Sequence, residues 1–357
     1  MLNFTVGPVM MNEEILNMGA QQVPYFRTQD FSDLMLENEK MMAEAVEAEQ
    51  GSRVIFLTAS GTGAMEASVM NFFTDKDKLL VINGGGFGAR FKAICDVHGI
   101  LADAVCLEHG RALKKEDLLP YEGKGYTAFL INVHETSTGV LFDMDLVSDF
   151  CRRNHLFLLV DAISSFLADP FHMKQWGVNA VIVSSQKALA LPAGMSFVVA
   201  DKKAQERIAG RGLKQMYFNF QDYLLNGERG QTPFTPAVSV LHQLNKRLKM
   251  VLEHGVEAEC RKTAEIAAVF REEIQDLPLE ISSESCSNAV TPLRLKGKMK
   301  AGELIRYLHE NYDIYVNPCS GDEKETHIRV GHIGEISREQ MKKLSDIFHD
   351  MNRKGVL

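Results

Sequence analysis

The chain has 357 residues, of which 45% are hydrophobic and 24% are charged. These fractions are close to those of globular proteins and exclude a disordered, collagen-like or coiled-coil chain. Lys and Arg number 39 against 47 Asp and Glu, so the formal net charge is −8. This balance argues against a nucleic-acid-binding protein, because such proteins carry excess positive charge that contacts phosphates.

Membrane insertion and secretion are not indicated either. No uncharged apolar run approaches the roughly 18 residues that a membrane-spanning helix needs. The first basic residue is Arg27, so the amino terminus lacks the positive start of a signal peptide. The 6 cysteines are far apart and form no C-x-x-C pair, which disfavours a disulfide framework or a zinc site. We therefore expect a cytoplasmic protein with no membrane partner and no metal.

Seven short apolar runs predict the strands of one sheet. They are rich in Val, Ile, Leu and Phe and mostly lack polar alternation, which indicates strands buried on both faces between layers of helices. The runs are Arg53–Thr58, Lys78–Ile82, Ala104–Leu107, Ala128–Val133, Leu156–Val160, Ala180–Ser184 and Ser196–Val199. The large unit is therefore predicted to be α/β, with a parallel or mixed sheet.

A change of pattern near residue 240 predicts a second, smaller unit. A long charged helix is expected over Gln243–Leu252 and on through Glu257–Ile274, followed by short strands and two more amphipathic helices. The turn-rich segment 226–236 is the natural connection, because it carries glycines and prolines at short intervals. We expect a large domain over residues 1–240 and a small α+β domain over residues 241–357.

The first of the seven runs leads into Ser60-Gly61-Thr62-Gly63, small residues that open a helix. Free backbone N–H groups and the helix dipole at such a start can bind an anion, and the Ser60 and Thr62 hydroxyls add donors. Taken alone, the segment reads as an ordinary glycine turn and helix cap.

Asp161 and Lys187 follow the fifth and sixth runs. A strand-terminal Asp often only caps the next helix, and a strand-terminal Lys often only reaches the surface. After a buried strand, however, an ammonium group carries a large desolvation cost, which falls when the amine is neutral or bonded as a Schiff base. A nearby carboxylate that keeps a pyridine nitrogen protonated completes the chemistry of a pyridoxal-phosphate site.

Further short motifs lie in order along nearly the whole chain. They are Gly7-Pro8, Ser60-Gly61-Thr62-Gly63, Asn83-Gly84 with Phe87-Gly88 and Arg90, Glu135-Thr136-Ser137-Thr138-Gly139, Asp161, Ser185-Gln186-Lys187, Thr232-Pro233 with Thr235-Pro236, and His327-Ile328-Arg329-Val330-Gly331 with Gly334. Together they resemble the class V aminotransferases of fold type I, especially the serine/alanine–glyoxylate or pyruvate branch. The resemblance implies that fold, with a mostly parallel seven-stranded sheet, and pyridoxal 5'-phosphate as cofactor.

The resemblance also implies a role for each matching residue. Lys187 would form the Schiff base, Asp161 would contact the pyridine nitrogen, and Arg329 would bind a substrate carboxylate through its two-pronged guanidinium. The other implied cofactor contacts are Phe87 stacked on the ring, Thr136 donating to the phenolic oxygen, Ser60, Gly61, Thr62 and Gln186 around the phosphate, and Thr232 and Thr235 reaching it from the partner subunit of a homodimer.

The leading hypothesis is transfer of an amino group from a small amino acid or amine, such as serine or alanine, to a short 2-oxo acid such as pyruvate or glyoxylate. A 2-aminoethylphosphonate–pyruvate aminotransferase shares most of the motifs and stays open. Phosphoserine aminotransferase is favoured by Asn3-Phe4, but its usual pattern differs from segment 135–139. A non-catalytic protein on this scaffold would lack site residues, and none is missing.

A cysteine desulfurase or selenocysteine lyase shares the fold and needs a mobile cysteine, for which Cys319 is the candidate. Those relatives usually have His where this chain has Gln186, which favours the aminotransferase. The chain offers no clear second arginine for a distal carboxylate, although Arg27 and Arg229 are candidates, so 2-oxoglutarate should be a poor acceptor. Arg27 also lies in Tyr25-Phe26-Arg27-Thr28-Gln29-Asp30-Phe31, where relatives often have His-Arg-Ser before an acidic residue and Phe.

Overall fold

The computed structural model describes residues 1–209, 215–319 and 321–357. Within these ranges the chain forms 14 strands and 13 α-helices. The strands are β1 (Leu2–Phe4), β2 (Arg53–Leu57), β3 (Lys78–Asn83), β4 (Leu101–Cys106), β5 (Ala128–Asn132), β6 (His134–Glu135), β7 (Val140–Leu141), β8 (Phe157–Asp161), β9 (Ala180–Ser184), β10 (Ser196–Ala200), β11 (Leu279–Ile281), β12 (Val290–Leu295), β13 (Ile314–Pro318) and β14 (His327–Gly331). The helices are α1 (Glu13–Gly19), α2 (Gln29–Ala45), α3 (Gly61–Phe72), α4 (Gly86–Val97), α5 (Lys115–Leu118), α6 (Met144–Arg153), α7 (Met173–Trp176), α8 (Lys202–Ala209), α9 (Phe220–Gly227), α10 (Val238–His254), α11 (Val256–Glu273), α12 (Ala301–Tyr312) and α13 (Arg338–Arg353).

The larger sheet has seven strands in the order β2-β10-β9-β8-β5-β3-β4. All neighbours are parallel except β10, which is antiparallel to both β2 and β9. Each of the seven predicted runs overlaps one of these strands, so the prediction of a mostly parallel seven-stranded sheet is confirmed.

Both faces of this sheet are buried. Along β3 and β8, Ile82 and Val160 belong to one apolar cluster, whereas Val81 and Leu159 belong to another. Successive side chains of a strand point to opposite faces, so these runs show no polar alternation. In the described ranges no helix combines the length and the apolar composition that a membrane span requires.

The smaller sheet has five strands in the order β1-β13-β14-β12-β11. Its edge strand β1 comes from the amino terminus and pairs in parallel with β13, so the first residues of the chain join a sheet that is otherwise built from its last third. The predicted domain boundary between residues 240 and 241 falls inside α10 and stays a prediction.

The single helix predicted over Gln243–Ile274 is wrong in one respect, because the structure has two helices there. Gly255 separates α10 from α11 and has a φ of +91°. That conformation costs glycine little but cannot continue a right-handed helix.

The direction of the strands places the predicted site. Strands β2, β3, β5, β8 and β9 run the same way, so their carboxyl ends lie at one edge of the sheet. In parallel α/β sheets this edge is where ligands bind. Asp161 ends β8, and the segments that follow the other four strands carry Ser60, Phe87, Thr136 and Lys187.

Candidate active site

Lys187 lies three residues beyond the end of β9, and its amine is held by the amino-terminal segment. Its Nζ atom donates a hydrogen bond of 2.7 Å to the Val6 carbonyl oxygen. Burial lowers the pKa of Lys187 to about 8, the positive charge of Arg329 acts in the same direction, and Asp161 opposes it. Because a neutral amine can attack a carbonyl carbon, this pKa makes Lys187 a usable nucleophile near neutral pH.

Asp161 is the last residue of β8 and is almost fully buried. Its carboxylate accepts hydrogen bonds from Asn132 Nδ2 at 2.6 Å and from the Ile163 backbone N–H at 2.7 Å. Burial raises the pKa of Asp161 to about 6, and these two hydrogen bonds oppose the shift. A buried carboxylate of this kind is stabilised by a cationic partner, such as a protonated pyridine nitrogen.

The start of α3 has the features of a helix end that can bind an anion. The Ser60 hydroxyl caps the helix by accepting a 3.2 Å hydrogen bond from the Gly63 N–H, and the first N–H groups of any α-helix lack acceptors inside it. Arg90 Nη1 donates to Thr62 Oγ1 at 2.8 Å, and the Arg90 guanidinium lies 4.7 Å from the centre of the Phe87 ring. A cation thus stands beside the helix end.

Glu135 fixes the segment that carries Phe87. Its fully buried carboxylate accepts from the N–H groups of Phe87 at 3.1 Å and Gly88 at 2.9 Å, and from the Ser137 hydroxyl at 2.6 Å. The Ser137 hydroxyl in turn accepts from the Gly86 N–H at 2.8 Å. The first three N–H groups of α4 are therefore bound by side chains that follow β5.

Arg329 approaches the same region from the smaller sheet. It donates from Nη1 to the Thr136 carbonyl oxygen at 2.9 Å and from Nη2 to the Pro318 carbonyl oxygen at 2.6 Å. Its Nε atom is buried and, within the described part of the chain, has no hydrogen-bond partner. Since a guanidinium has five N–H donors, Arg329 keeps donors for a further acceptor.

Gly61 and Gln186 lie on the predicted phosphate side. A Cβ atom added to Gly61 would stand 2.6 Å from Ile163 Cδ1, so the start of α3 closely approaches the residue two positions after Asp161. Gln186 Oε1 accepts a 2.7 Å hydrogen bond from the Ser184 hydroxyl at the end of β9. Both residues thus lie at the sheet edge that carries Asp161 and Lys187.

Thr232 and Thr235 lie apart from these contacts. The buried Thr232 hydroxyl donates to the Phe234 carbonyl oxygen at 2.7 Å, and the Thr235 side chain is exposed. The segment that carries both threonines is hydrogen-bonded to the residue after β2, because the Ala237 N–H donates to Thr58 Oγ1 at 3.2 Å. The role predicted for both threonines in a partner subunit stays a prediction.

Sequence reasoning missed four polar side chains that support this region: Asn132, His134, Glu135 and Ser164. Glu135 was noted only as part of a motif, and its bond to a helix 48 residues earlier leaves no local signal. Asn132 could have been found, since it ends the strand next to β8 and pairs with Asp161 in the register. His134 and Ser164 form a buried hydrogen-bonded pair that no sequence spacing indicates.

The residues present fit a phosphorylated pyridine aldehyde. A lysine amine with a lowered pKa can bond to the aldehyde of this group. A buried carboxylate can face its ring nitrogen, and a capped helix start can bind its phosphate. The buried Nε atom of Arg329 has no partner among the described residues, which is the condition of a group that faces a ligand.

Fold and site together define a pyridoxal-phosphate-dependent enzyme of fold type I. The family model described as Aminotransferase class-V matches residues 17–323, and the chain belongs to that family. An uncharacterized aminotransferase of Helicobacter pylori (strain J99 / ATCC 700824) is 32% identical over 346 residues, which cover 94% of this chain and 89% of that protein. A serine–glyoxylate aminotransferase of Arabidopsis thaliana is 26% identical over 351 residues, 95% of this chain and 86% of that protein.

A solved structure agrees with the fold. The aspartate aminotransferase of subgroup IV from Thermus thermophilus superposes with a TM-score of 0.93 over 100% of both chains, at 24% sequence identity. At this identity the likeness concerns the fold alone. With the family shown, the protein is a pyridoxal-phosphate-dependent aminotransferase.

Proposed function

We propose that the enzyme transfers an amino group from a small amino acid or amine, such as serine or alanine, to a short 2-oxo acid such as pyruvate or glyoxylate. The observation that carries this proposal is the guanidinium of Arg329, which reaches the Thr136 backbone and keeps unused donors. The Arabidopsis relative is named for serine and glyoxylate, which supports substrates of this size.

In this proposal each residue of the site has a defined task. Pyridoxal phosphate supplies the electron sink when it is bound. Lys187 would hold the cofactor, and its free amine would then accept the proton from the substrate α-carbon, while Asp161 would keep the ring nitrogen protonated. Arg329 orients the substrate by its carboxylate. The residues proposed to bind the cofactor are Ser60, Gly61, Thr62, Phe87, Thr136 and Gln186, with Thr232 and Thr235 of a partner subunit.

The two other candidate arginines are bound elsewhere, which supports a short acceptor. Arg27 Nη1 donates to Gln231 Oε1 at 3.0 Å and to the Thr232 carbonyl oxygen at 2.9 Å. Arg229 Nη2 donates to Asn226 Oδ1 at 2.8 Å. A second carboxylate, as in 2-oxoglutarate, would therefore have to compete with existing contacts for a cationic partner.

The environment of Cys319 speaks against sulfur transfer. The Cys319 side chain is buried, and burial raises the pKa of its thiol, although Arg329 opposes this shift. A sulfur acceptor must instead be a mobile, accessible thiolate. Gln186 before the lysine points the same way.

A homodimer is part of the proposal. Large apolar side chains are exposed in two segments, at Val23 (48%), Tyr25 (69%), Met216 (79%) and Leu225 (55%). Where such side chains form one contiguous patch, that patch is typical of a surface that packs against another chain. A two-fold dimer is the commonest assembly of identical chains, and it would cover them.

A panel of donors and acceptors tests the substrates. Serine, alanine, aspartate and 2-aminoethylphosphonate are each combined with glyoxylate, pyruvate and 2-oxoglutarate, and turnover is followed by the cofactor's absorbance. We expect serine or alanine with glyoxylate or pyruvate to give the highest kcat/KM. Higher kcat/KM with 2-oxoglutarate would contradict the acceptor, and preference for 2-aminoethylphosphonate would replace the donor.

The Arg329→Lys variant tests the carboxylate contact. An ammonium cannot reproduce two parallel hydrogen bonds, so KM for the oxo acid should rise about 10- to 100-fold. Arg294→Lys is the matched control, because Arg294 lies in the same sheet with an exposed side chain.

The Cys319→Ala variant tests the alternative of sulfur transfer, and it should leave turnover unchanged. Loss of activity in this variant, together with sulfide release from cysteine by the wild type, would establish the lyase instead.

A further inference from the structure

Three buried side chains form a hydrogen-bonded row behind the predicted cofactor ring. His134 Nδ1 lies 2.9 Å from Ser164 Oγ, and Ser164 Oγ lies 2.6 Å from Thr136 Oγ1. Their exposed fractions are 2%, 4% and 5% for His134, Ser164 and Thr136. Water therefore has little access to the row, and its proton positions are set by the three side chains themselves.

The proton of His134 belongs on Nδ1. Burial lowers the pKa of His134 to about 3, and the positive charges of Lys187, Arg329 and Arg271 act in the same direction, so the ring is neutral. Its Nε2 atom is buried and has no partner in the described part of the chain. An orphaned N–H is rarer in proteins than an orphaned acceptor. The ring therefore donates from Nδ1 to Ser164 and leaves a lone pair on Nε2.

This tautomer fixes the direction of the two hydroxyl groups. Ser164 accepts from His134, so its own proton goes to a second acceptor, and Thr136 Oγ1 at 2.6 Å is closer than the His134 carbonyl oxygen at 3.4 Å. The Thr136 hydroxyl then accepts from Ser164, and its proton remains available to a ligand. With the opposite tautomer, Thr136 would donate to Ser164 and offer only lone pairs.

We propose that His134 and Ser164 are positioning residues that orient the Thr136 hydroxyl as a donor to the phenolic oxygen of the cofactor ring. The inference rests on the proposed function, in which Thr136 faces that oxygen. Such a donor withdraws negative charge from the phenolic oxygen. The Lys187 nitrogen, once bonded to the cofactor, then holds its proton less tightly.

The pH dependence of the bound cofactor's absorbance tests the row. Thr136→Val should raise the pH midpoint of the absorbance change by about one unit, since it removes the one donor to a charged acceptor. His134→Phe should raise the same midpoint, because Ser164 no longer accepts from His134 and can instead accept the Thr136 proton at 2.6 Å. The double variant His134→Phe/Thr136→Val should show no further rise over Thr136→Val. An additive rise, or an unchanged midpoint in His134→Phe while Thr136→Val shifts, would overturn the proposal.

A conservative variant separates hydrogen bonding from packing. His134→Asn can place an amide N–H where Nδ1 stands, so it should keep the wild-type midpoint, whereas His134→Gln places its amide near the Nε2 position and should behave as His134→Phe. If Asn and Phe give the same raised midpoint, the donor role of His134 is refuted.

Nitrogen NMR of the apoprotein with labelled histidine reads the tautomer without cofactor, and the His134→Phe spectrum assigns the signal. We expect a protonated Nδ1; a protonated Nε2 would overturn the proposal. Failure of the wild type to bind pyridoxal phosphate would contradict the cofactor site itself and this proposal with it. If the cofactor binds but His134→Phe keeps the wild-type pH midpoint of the cofactor's absorbance, only the positioning role of His134 and Ser164 is contradicted.

Discussion

Asp161 and Lys187 have pKa values that burial displaces in opposite directions, towards about 6 and about 8. Both residues could be chosen from the sequence, because each follows an apolar run that must end at the same sheet edge. The partner of the Lys187 amine could not be chosen in this way. Val6 acts through a contact across 181 positions of the chain, which only the folded chain creates.

The Asp161→Asn variant tests the carboxylate. We expect pyridoxal phosphate still to bind while kcat falls on the order of 100-fold or more, because the ring nitrogen loses the charge that keeps it protonated. Asp169→Asn is a matched control, since Asp169 is equally buried with a pKa raised to about 6, but its partners are Ser287 and Asn288. Equal losses in the two variants would remove Asp161 from the site.

The Lys187 pKa predicts how fast the apoprotein captures cofactor at different pH values. The pKa is lowered to about 8, so the reactive neutral amine is a minor form below that pH and the main form above it. Stopped-flow absorbance should show a rate that rises up to about pH 8 and then levels off. In Asp161→Asn the midpoint should move lower, because Asp161 raises this pKa. A midpoint near the ordinary lysine value would contradict the burial of the amine.

At the scale of elements, the strands of the larger sheet could be predicted because their side chains are apolar on both faces. The smaller sheet was harder, since β1 and β13 are separated by about 300 positions and β1 has only three residues. The break between α10 and α11 depends on Gly255 alone, within an otherwise continuous amphipathic pattern. Glu135 lies in β6 but binds N–H groups at the start of α4, so it is likewise a long-range cap that no local rule detects.

Gly7 lies in the segment after β1, and the Gly7→Ala variant should disturb both the backbone there and cofactor binding. Gly7 has a φ of +129°, and an added Cβ would lie 2.9 Å from both the Gln186 carbonyl oxygen and Lys187 Cδ. We expect weaker cofactor binding in addition to a backbone cost of about 1–2 kcal/mol. Gly123→Ala is the control, because Gly123 has a φ of +66° with nothing within 4 Å. Fluorescence titration with pyridoxal phosphate should separate them; equal affinity in both variants would contradict a contact between Gly7 and the Lys187 segment.

At the scale of the whole molecule, shared sites in a homodimer predict complementation between two inactive variants. Lys187→Ala removes the amine, and Thr235→Glu places a negative charge beside the partner's phosphate. If Thr235 acts across the interface, a mixed dimer has one intact site, and random exchange restores about one quarter of wild-type activity. If Thr235 acts within its own subunit, mixing restores nothing. A fully active monomer in light scattering would contradict the dimer itself.

The attachment of pyridoxal phosphate to Lys187 is the claim on which the whole account depends. Borohydride reduction of the enzyme after incubation with cofactor, followed by peptide mass mapping, locates the bonded lysine directly. We predict a single modified peptide containing Ser185-Gln186-Lys187, and no modification in Lys187→Ala treated in the same way. A label on another lysine, or no label in the wild type, would contradict the account.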